Sequence, residues 1–424
     1  MTCVASGLFV VLALACSRTW ATINHCENVA TSEGLRALYG GQTACAPLRD
    51  GEPDSGKGVR FLVCESGKVY TKTCENQTRY DVTSGQCKES NISSCHLIDG
   101  RSKRGAWRSE CNQHNCKLPN CFCFGATPKL QLSDTPMFIM LTFDDFLYND
   151  VYCKFFRPLF VDNIYKLYNP NGCPVKMALY VATRHSNISL IKDMFNAGHE
   201  IASHTVSHKL PRGYRWDYPA VKSAIVGVKK NILKATGDHS LVNSIVGFRA
   251  PYLRCARDVQ FDVLRDSGFL YDSSIGSRER PPTWPWTFDF PPKKCMYCRC
   301  PVRRYPGLWE VPLTTWIGDD GRPCSMLDAC SVGQNKSSIT EKEWFNFFHR
   351  HFTDYYYPHR RPLTFFTHDF LFYRNPNAYP ALVRWLEHLL HNYPDVWVMP
   401  PKWVIEWVKR PLTLAKMKTH RWGC

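Results

Sequence analysis

The sequence predicts an α/β fold, as an open sheet or a barrel, preceded by a small β-rich module that disulfides hold together. From Pro136 onward, strand-like apolar runs alternate with helical patterns. Polar residues follow several of these runs at their carboxyl ends, where α/β folds keep their sites. The earlier segment Cys26–Cys95 is polar and turn-rich and contains six cysteines, so it is too poor in apolar residues for a large core. With 424 residues, the chain has room for both parts.

The first 21 residues predict a secretory signal peptide. Leu8–Ala15 is an apolar run, and Thr19–Ala21 ends in a small residue suited to cleavage. An uncleaved anchor is the alternative, although the apolar run is too short to span a bilayer. We therefore expect a secreted, soluble mature protein without a membrane segment.

The cysteine content agrees with an oxidising compartment. The chain has 21 cysteines, of which 19 remain when Cys3 and Cys16 are removed with the signal. This density predicts a disulfide framework. The odd number leaves one thiol free or intermolecular, and the terminal Cys424 is a candidate. Four glycosylation sequons fit a secreted glycoprotein: Asn76, Asn91, Asn187 and Asn335.

The net charge of +16 raises the question of a nucleic-acid partner. We exclude this class because the Lys and Arg residues are dispersed and secretion removes the usual nucleic-acid targets. The segment Lys409–Trp422 is a local basic cluster without acidic residues. It suggests either a solvated tail or a contact with a polyanion.

The N-terminal module, residues 22–95, has a characteristic cysteine spacing. Nine, twelve and seven residues separate the last four cysteines, and Arg60–Val63 with Lys68–Tyr70 predict a β-hairpin. Together with Phe61–Cys64, Tyr80–Asp81 and Ser84–Cys87, this pattern resembles the peritrophin-A type of chitin-binding domain. The resemblance implies that the module binds chitin.

A sugar-binding face requires aromatic rings that stack on pyranose faces. The rings that the module offers are Phe61, Tyr70 and Tyr80, each of which can alternatively fill the small core.

Residues 96–131 form a cysteine-rich connector. Cys116, Cys121 and Cys123 have a spacing that also occurs in metal knuckles. In a secreted chain, disulfides are the better interpretation.

The remainder, residues 132–410, carries the α/β pattern, and a tail of residues 411–424 follows it. Predicted strands are Phe138–Phe143, Val175–Ala182, Glu200–Ser203, Ser244–Phe248, Leu363–Thr367 and Val396–Met399. Predicted helices are Leu190–Ala197, Ala220–Ala235, Asp258–Ser267, Glu341–Phe352 and Ala381–Asn392.

The stretch Phe138–Asp145 runs from a buried strand directly into two carboxylates, Asp144 and Asp145. Such a pair can cap a helix or solvate a loop. Later in the chain, His204 and His208 stand four residues apart after a short strand. One helical turn or an equivalent loop would bring both imidazoles together, and two histidines with a carboxylate form a facial metal triad.

Further polar groups end other predicted strands. They are the motifs Arg249–Tyr252, Leu270–Ser274 and Phe365–His368. Repeated placement at strand ends is how an α/β barrel assembles a site.

Taken in order, these motifs resemble the polysaccharide deacetylase family, and within it the arthropod chitin deacetylase-like proteins. Pro306–Pro312 and Cys116–Cys123 are also similar to that branch. The resemblance implies a distorted (β/α) barrel with fewer than eight strands. It further implies that a divalent metal, preferably Zn²⁺, is held by Asp145, His204 and His208.

The resemblance also assigns the remaining roles. Asp144 would be the general base, ionised and oriented by Arg249, and the backbone N–H of Tyr252 would stabilise the oxyanion. His368, tuned by Asp272, would protonate the departing amine. Ordinary structural roles are the alternative for two of these residues, an ion pair for Arg249 and a turn cap for Asp272.

Four tryptophans of this region can either line a sugar groove or pack in the core: Trp284, Trp286, Trp309 and Trp316. Among them, we predict that Trp309 contacts the substrate. The resemblance implies a secreted chitin deacetylase that yields chitosan and acetate. The alternative is a chitin-binding matrix-organising protein with little catalysis. Deacetylation of peptidoglycan is a third possibility, which the chitin-binding module disfavours.

Overall fold

The structure is a computed structural model, in which the chain divides into two compact units, Met1–Arg108 and Ser109–Cys424. It describes the backbone of four strands within 59–89, residues 116, 118 and 119, and residues 121–210, 217–324, 326–333, 338–420 and 424. The predicted signal peptide lies outside the described residues. So do the sequons Asn76, Asn91 and Asn335 and the side chains of Phe61, Tyr70 and Tyr80.

The first unit contains two antiparallel strand pairs. β1 (Val59–Glu65) pairs with β2 (Lys68–Cys74) in a register that sets Val63 opposite Tyr70. β3 (Thr78–Asp81) pairs with β4 (Gln86–Glu89). The backbone of β1 and β2 therefore confirms the predicted hairpin.

The second unit is built on a nine-stranded sheet. Its strands are β5 (Met137–Asp145), β6 (Ala178–Val181), β7 (Glu200–Ser203), β8 (Gly247–Phe248), β9 (Tyr271–Asp272), β11 (Trp286–Phe288), β12 (Tyr305–Glu310), β16 (Leu363–His368) and β17 (Val396–Val398). Short strands outside this sheet are β10 (Gly276–Ser277), β13 (Leu313–Thr314), β14 (Trp316–Ile317) and β15 (Pro323–Cys324).

The sheet is parallel except for one edge. Its order is β11-β12-β9-β8-β7-β6-β5-β16, with β17 also paired to β5, and β11 alone runs antiparallel to its neighbour. Every residue of β5 before Asp145 is buried, which explains its unbroken apolar run. The parallel arrangement brings the carboxyl ends of β5, β7, β8, β9, β12 and β16 to one rim.

Side-chain hydrogen bonds draw the two ends of the sheet together. Thr364 Oγ1, on β16, donates to the carbonyl of Pro312, between β12 and β13, at 3.0 Å. Trp316 Nε1 donates to the carbonyl of Thr364 at 3.4 Å. The sheet thus closes into a distorted barrel, as the family resemblance implied, but the expectation of fewer than eight strands is wrong, since the sheet has nine.

Helices surround the barrel. They are α1 (Asn149–Val151), α2 (Ile188–Asn196), α3 (Tyr218–Thr236), α4 (His239–Ser244), α5 (Arg257–Asp266), α6 (Glu341–His351), α7 (Phe370–Arg374), α8 (Ala378–Asn392), α9 (Pro401–Lys409) and α10 (Leu414–Thr419). Two π-helical segments, Tyr152–Val161 and Phe352–Tyr356, follow α1 and α6. Short 3₁₀ segments are Leu132–Asp134, Pro251–Leu253, Leu327–Ala329 and Tyr357–His359.

The C-terminal segment packs on the amino-terminal side of β5. Trp407 of α9 lies 5.0 Å from the ring of Phe138, and Met417 of α10 is buried in the same apolar cluster. Cys424 forms a disulfide with Cys173. The basic tail is therefore anchored at these points, which a purely solvated tail would not be.

Disulfides recur through the described part of the chain. Pairs among the described cysteines include Cys116–Cys123, Cys173–Cys424, Cys255–Cys298, Cys295–Cys300 and Cys324–Cys330. The first pair confirms disulfide bonding in the connector. The suggestion that Cys424 is unpaired is wrong, and the free thiol among the described cysteines is Cys153. No helix of the described segments is long and apolar enough to cross a bilayer.

Candidate active site

Asp144 and Asp145 end β5 and point into different surroundings. Asp144 is buried and its Oδ1 accepts a hydrogen bond of 2.6 Å from Arg249 Nη1. Asp145 lies at the rim with a φ of 88°, a left-handed conformation that is uncommon for a residue other than glycine. This turn of the backbone directs the second carboxylate toward the histidines.

His204 and His208 reach Asp145 from a loop after β7, and not from a helix. Thr205 and His208 have φ values of 66° and 55°, and Thr205 Oγ1 closes the turn by accepting from the backbone N–H of Lys209 at 3.1 Å. Strained backbone of this kind is characteristic of functional sites. The ligand atoms of Asp145, His204 and His208 all lie within 4.8 Å of one another.

The atoms that meet in this group carry lone pairs and need a cation. His204 Nδ1 lies 2.8 Å from the carbonyl oxygen of Arg249, which can only accept, so in the neutral ring Nδ1 carries the proton. The Nε2 lone pair then faces Asp145 Oδ1 at 3.5 Å, and His208 Nε2 faces the same oxygen at 3.0 Å. No described N–H or O–H donates to that buried oxygen. Two imidazoles and a carboxylate suit a divalent transition metal.

Arg249 is fully buried behind the rim. Besides Asp144, it donates to Thr142 Oγ1 at 3.1 Å and to the carbonyl and hydroxyl of Ser273 at 2.9 and 3.0 Å. Its guanidinium lies 3.9 Å from the ring centroid of Tyr180. These four hydrogen bonds fix the planar guanidinium, and the bond to Asp144 thereby holds that carboxylate in one orientation.

The strand-end motif of β8 continues past Arg249 to Tyr252. Tyr252 has a φ of 55° and a ring that is 63% exposed. This ring lies 4.5 Å from that of His208, and the backbone N–H has no acceptor among the described residues. A donor in this state is available to a ligand at the rim.

His368 ends β16 with Nε2 3.8 Å from Asp145 Oδ2. Its Nδ1 lies 3.0 Å from Asp328 Oδ1. Burial lowers the pKa of His368, but the hydrogen bond and charge of Asp328, with the charges of Asp144 and Asp145, raise it to about 9. The contact with Asp328 holds the ring with Nε2 directed at the site.

The prediction that Asp272 tunes His368 is wrong. Asp272 is fully buried and accepts hydrogen bonds from Gln260 Nε2 at 2.8 Å and from Ser274 Oγ at 2.9 Å. The carboxylate at His368 is Asp328, which sequence reasoning missed. The available signal was its position between Cys324 and Cys330, since a short disulfide loop holds a side chain rigidly.

The prediction that Trp309 contacts sugar is also wrong. Trp309 is 1% exposed and stacks on Phe122 with 6.3 Å between ring centroids. The other three tryptophans are also buried. Two exposed tyrosines of this region are instead Tyr252, beside His208, and Tyr148, whose exposed fraction is 46% and whose ring lies 6.0 Å from that of Phe146.

Comparison with known proteins finds a family match within the second unit. The family model described as polysaccharide deacetylase matches residues 133–271. Chitin deacetylase 8 of Bombyx mori is 29% identical over 325 residues, which cover 73% of this chain and 81% of that protein. Chitin deacetylase 1 of Bombyx mori is 30% identical over 326 residues, covering 73% of this chain and 58% of that protein.

Among solved structures, the family 4 carbohydrate esterase from Streptomyces lividans in complex with acetate aligns with a TM-score of 0.33 and 12% identity, over 62% of this chain and 92% of its own. The segment that matches the family model contains the carboxylate pair, both histidines and Arg249. Residues 133–271 therefore match the polysaccharide deacetylase family.

Proposed function

We propose that the protein is a secreted, metal-dependent chitin deacetylase that converts N-acetylglucosamine units of chitin to glucosamine and releases acetate. The observation that carries this proposal is the division of the carboxylate pair. Asp145 faces the Nε2 atoms of two imidazoles, and Asp144 is held separately by Arg249. The curated relatives are named for chitin deacetylation, and the N-terminal module resembles chitin-binding domains.

Asp145, His204 and His208 would hold the metal, with zinc as the preferred ion for this donor set. A bound divalent metal supplies Lewis acidity and brings the pKa of a coordinated water from 15.7 to about 7. These three residues therefore fix where the reacting amide can lie, within reach of Asp144 and His368.

The chain's own groups then move the protons. Asp144 accepts a proton from the attacking water, and Arg249 keeps the carboxylate oriented for that transfer. The backbone N–H of Tyr252 donates to the amide oxygen as negative charge develops on it. His368 gives its Nε2 proton to the nitrogen as the C–N bond breaks, while its Nδ1 keeps its proton and donates it to Asp328. Acetate and a free amine leave.

Acetate release from soluble chitin oligomers by the zinc-loaded protein tests this proposal. We expect Asp144→Asn to reduce kcat by about 10²- to 10⁴-fold and to leave zinc binding intact, because Asp144 is not among the metal-ligating residues. Asp193→Asn, which changes an exposed carboxylate on α2, is the matched control. Treatment of the wild type with a chelator should abolish turnover.

The outcomes separate the alternatives. A wild type that adsorbs to chitin but releases no acetate would leave the matrix-organising function. Equal activity in Asp144→Asn and wild type would remove Asp144 from the role of base. Turnover of peptidoglycan fragments in preference to chitin oligomers would show that peptidoglycan, and not chitin, is the substrate.

A further inference from the structure

Asp272 and Glu310 form a buried pair of carboxyl groups behind the site. They stand opposite each other on the neighbouring strands β9 and β12, and neither is exposed. Their side chains lie within hydrogen-bonding range of each other. The mechanism above makes no use of either carboxyl.

One proton between the two carboxyls accounts for their surroundings. Glu310 Oε1 accepts from the backbone N–H of Ile275 at 3.0 Å, whereas Oε2 is buried and receives no N–H or O–H from the described residues. Two carboxylate oxygens are both acceptors, so they can stay in contact in a dry site only if a proton lies between them.

The negative charge is better placed on Asp272. Its carboxylate accepts from Gln260 Nε2 and from both the N–H and the hydroxyl of Ser274. Burial raises the pKa of Asp272 to about 6, against these hydrogen bonds. Burial and the charge of Asp272 raise the pKa of Glu310 well above its usual range, and the charge of Arg249 opposes this shift. Because three donors among the described residues face Asp272 and one backbone N–H faces Glu310, the proton belongs on Glu310.

A chain of hydrogen bonds connects Asp272 to a metal-ligating residue. Ser274 Oγ donates to Asp272 Oδ1 at 2.9 Å and accepts from the backbone N–H of Ala250 at 2.8 Å. The carbonyl of the same peptide group, that of Arg249, accepts from His204 Nδ1 at 2.8 Å. Hydrogen bonds in series polarise one another, and an anion at the end of the series makes the imidazole a stronger ligand.

We propose that Asp272 and Glu310 share one proton, and that Asp272, the ionised member, holds His204 in its metal-binding tautomer through Ser274 and the Arg249–Ala250 peptide. Asp272 and Glu310 are thus positioning residues for the metal centre. The inference rests on the metal site of the proposed function, but not on chitin as the substrate.

Zinc affinity of the full-length chain, measured by competition with a chromophoric chelator, tests the inference without reference to activity. Asp272→Asn removes the anion, and we expect the dissociation constant for zinc to rise about 10- to 100-fold. In Glu310→Gln the amide donates to Asp272 as the protonated carboxyl does, so the dissociation constant should stay within about threefold of the wild type.

Ser274→Ala removes the middle link in the series of hydrogen bonds between Asp272 and His204, so it should weaken zinc binding as Asp272→Asn does. This variant decides the question if Asp272→Asn does not fold. Glu200→Gln is the matched control for neutralising a buried carboxyl. Glu200 accepts from Tyr271 and from the N–H of Lys402, and it takes no part in the series of hydrogen bonds between Asp272 and His204.

Equal affinity in all variants would overturn the inference, and so would equal losses in Asp272→Asn and Glu310→Gln, which a merely structural role predicts. If the difference between these two variants appears while the wild type releases no acetate from chitin, the inference stands and the proposed substrate fails. A wild type without zinc affinity overturns both.

Discussion

At the scale of single residues, Asp328 determines how His368 faces the site. Asp328 Oδ1 contacts His368 Nδ1 at 3.0 Å and also accepts from Thr367 Oγ1 at 3.1 Å. Loss of this charge-assisted hydrogen bond leaves the imidazole free to rotate. We expect Asp328→Asn to lower kcat by roughly 10- to 100-fold with little change in KM, which corresponds to the 1.5–3 kcal/mol typical of a hydrogen bond to a charged group.

Steady-state kinetics on soluble chitin oligomers measures this effect. Asp320→Asn, which changes an exposed carboxylate in the same region, should behave as the wild type. An unchanged kcat in Asp328→Asn would show that His368 needs no orienting carboxylate.

Tyr148 offers an exposed ring beside the site. Its centroid lies 6.0 Å from that of Phe146, which in turn lies 6.3 Å from His208. Aromatic rings stack on pyranose faces, so we expect Tyr148→Ala to raise KM about 3- to 10-fold and to leave kcat unchanged, the pattern of lost ground-state binding.

Tyr168→Ala is the matched control for this change. Tyr168 has the same exposed fraction, 46%, but it precedes Asn169, which binds β17 near the amino-terminal half of β5. A rise in KM for both variants would refute a sugar contact at Tyr148.

Prediction from the sequence succeeds where a residue's partners are fixed by strand ends. Asp145, His204 and His208 come together because the parallel strands β5 and β7, with β6 between them, end at one rim. Asp328 escapes prediction because it reaches His368 from a disulfide loop whose placement no periodicity encodes. Trp309 was assigned wrongly because composition alone does not distinguish a ring in a groove from a ring in the core.

At the scale of elements, a buried histidine that must remain neutral, His199, directly precedes β7. The ring of His199 accepts from the N–H of Met177 at 3.3 Å and faces the carbonyl of Phe160 at 3.1 Å. Burial, together with the charge of Lys176, lowers its pKa from 6.5 to about 3. Below pH 6.5 the unfolded chain therefore binds a proton that the folded chain does not.

As the pH falls from roughly 6 to 3, we expect the titration of this histidine to reduce the free energy of unfolding by about 1.4 kcal/mol per pH unit. His199→Gln retains a donor and an acceptor but does not titrate, so its stability should fall less steeply over the same range. Urea unfolding under non-reducing conditions at several pH values measures both slopes. Parallel slopes would show that His199 is not protonated on unfolding.

The elements with strong periodicity were predictable, and the irregular ones were not. β7 matches its predicted bounds, and α2, α3 and α5 differ from theirs by one or two residues at each end. The antiparallel edge of β11 and β12 and the helix α9 were not predicted. These elements are short or rich in Pro and Trp, and tertiary packing rather than local pattern decides their conformation.

At the scale of the whole molecule, the catalytic unit has an apolar core of its own, from Met137 to Val398. The strands of the first unit contain Phe61, Tyr70 and Tyr80, the rings that the chitin-binding resemblance singles out. A tethered binding module raises the local concentration of an insoluble substrate and adds little to turnover of a soluble one. Deletion of the module should therefore reduce adsorption to solid chitin without reducing turnover of soluble oligomers.

We expect removal of residues 22–95 to weaken adsorption to solid chitin by at least about 100-fold, while kcat/KM for short soluble chitin oligomers stays within about twofold. Sedimentation of the protein with solid chitin measures the first quantity, with cellulose as the control polymer, and acetate release measures the second. The full chain carrying Phe61→Ala, Tyr70→Ala and Tyr80→Ala should lose adsorption in the same way if these rings contact sugar. Equal adsorption of the truncated and full-length proteins would place chitin binding in the catalytic unit instead.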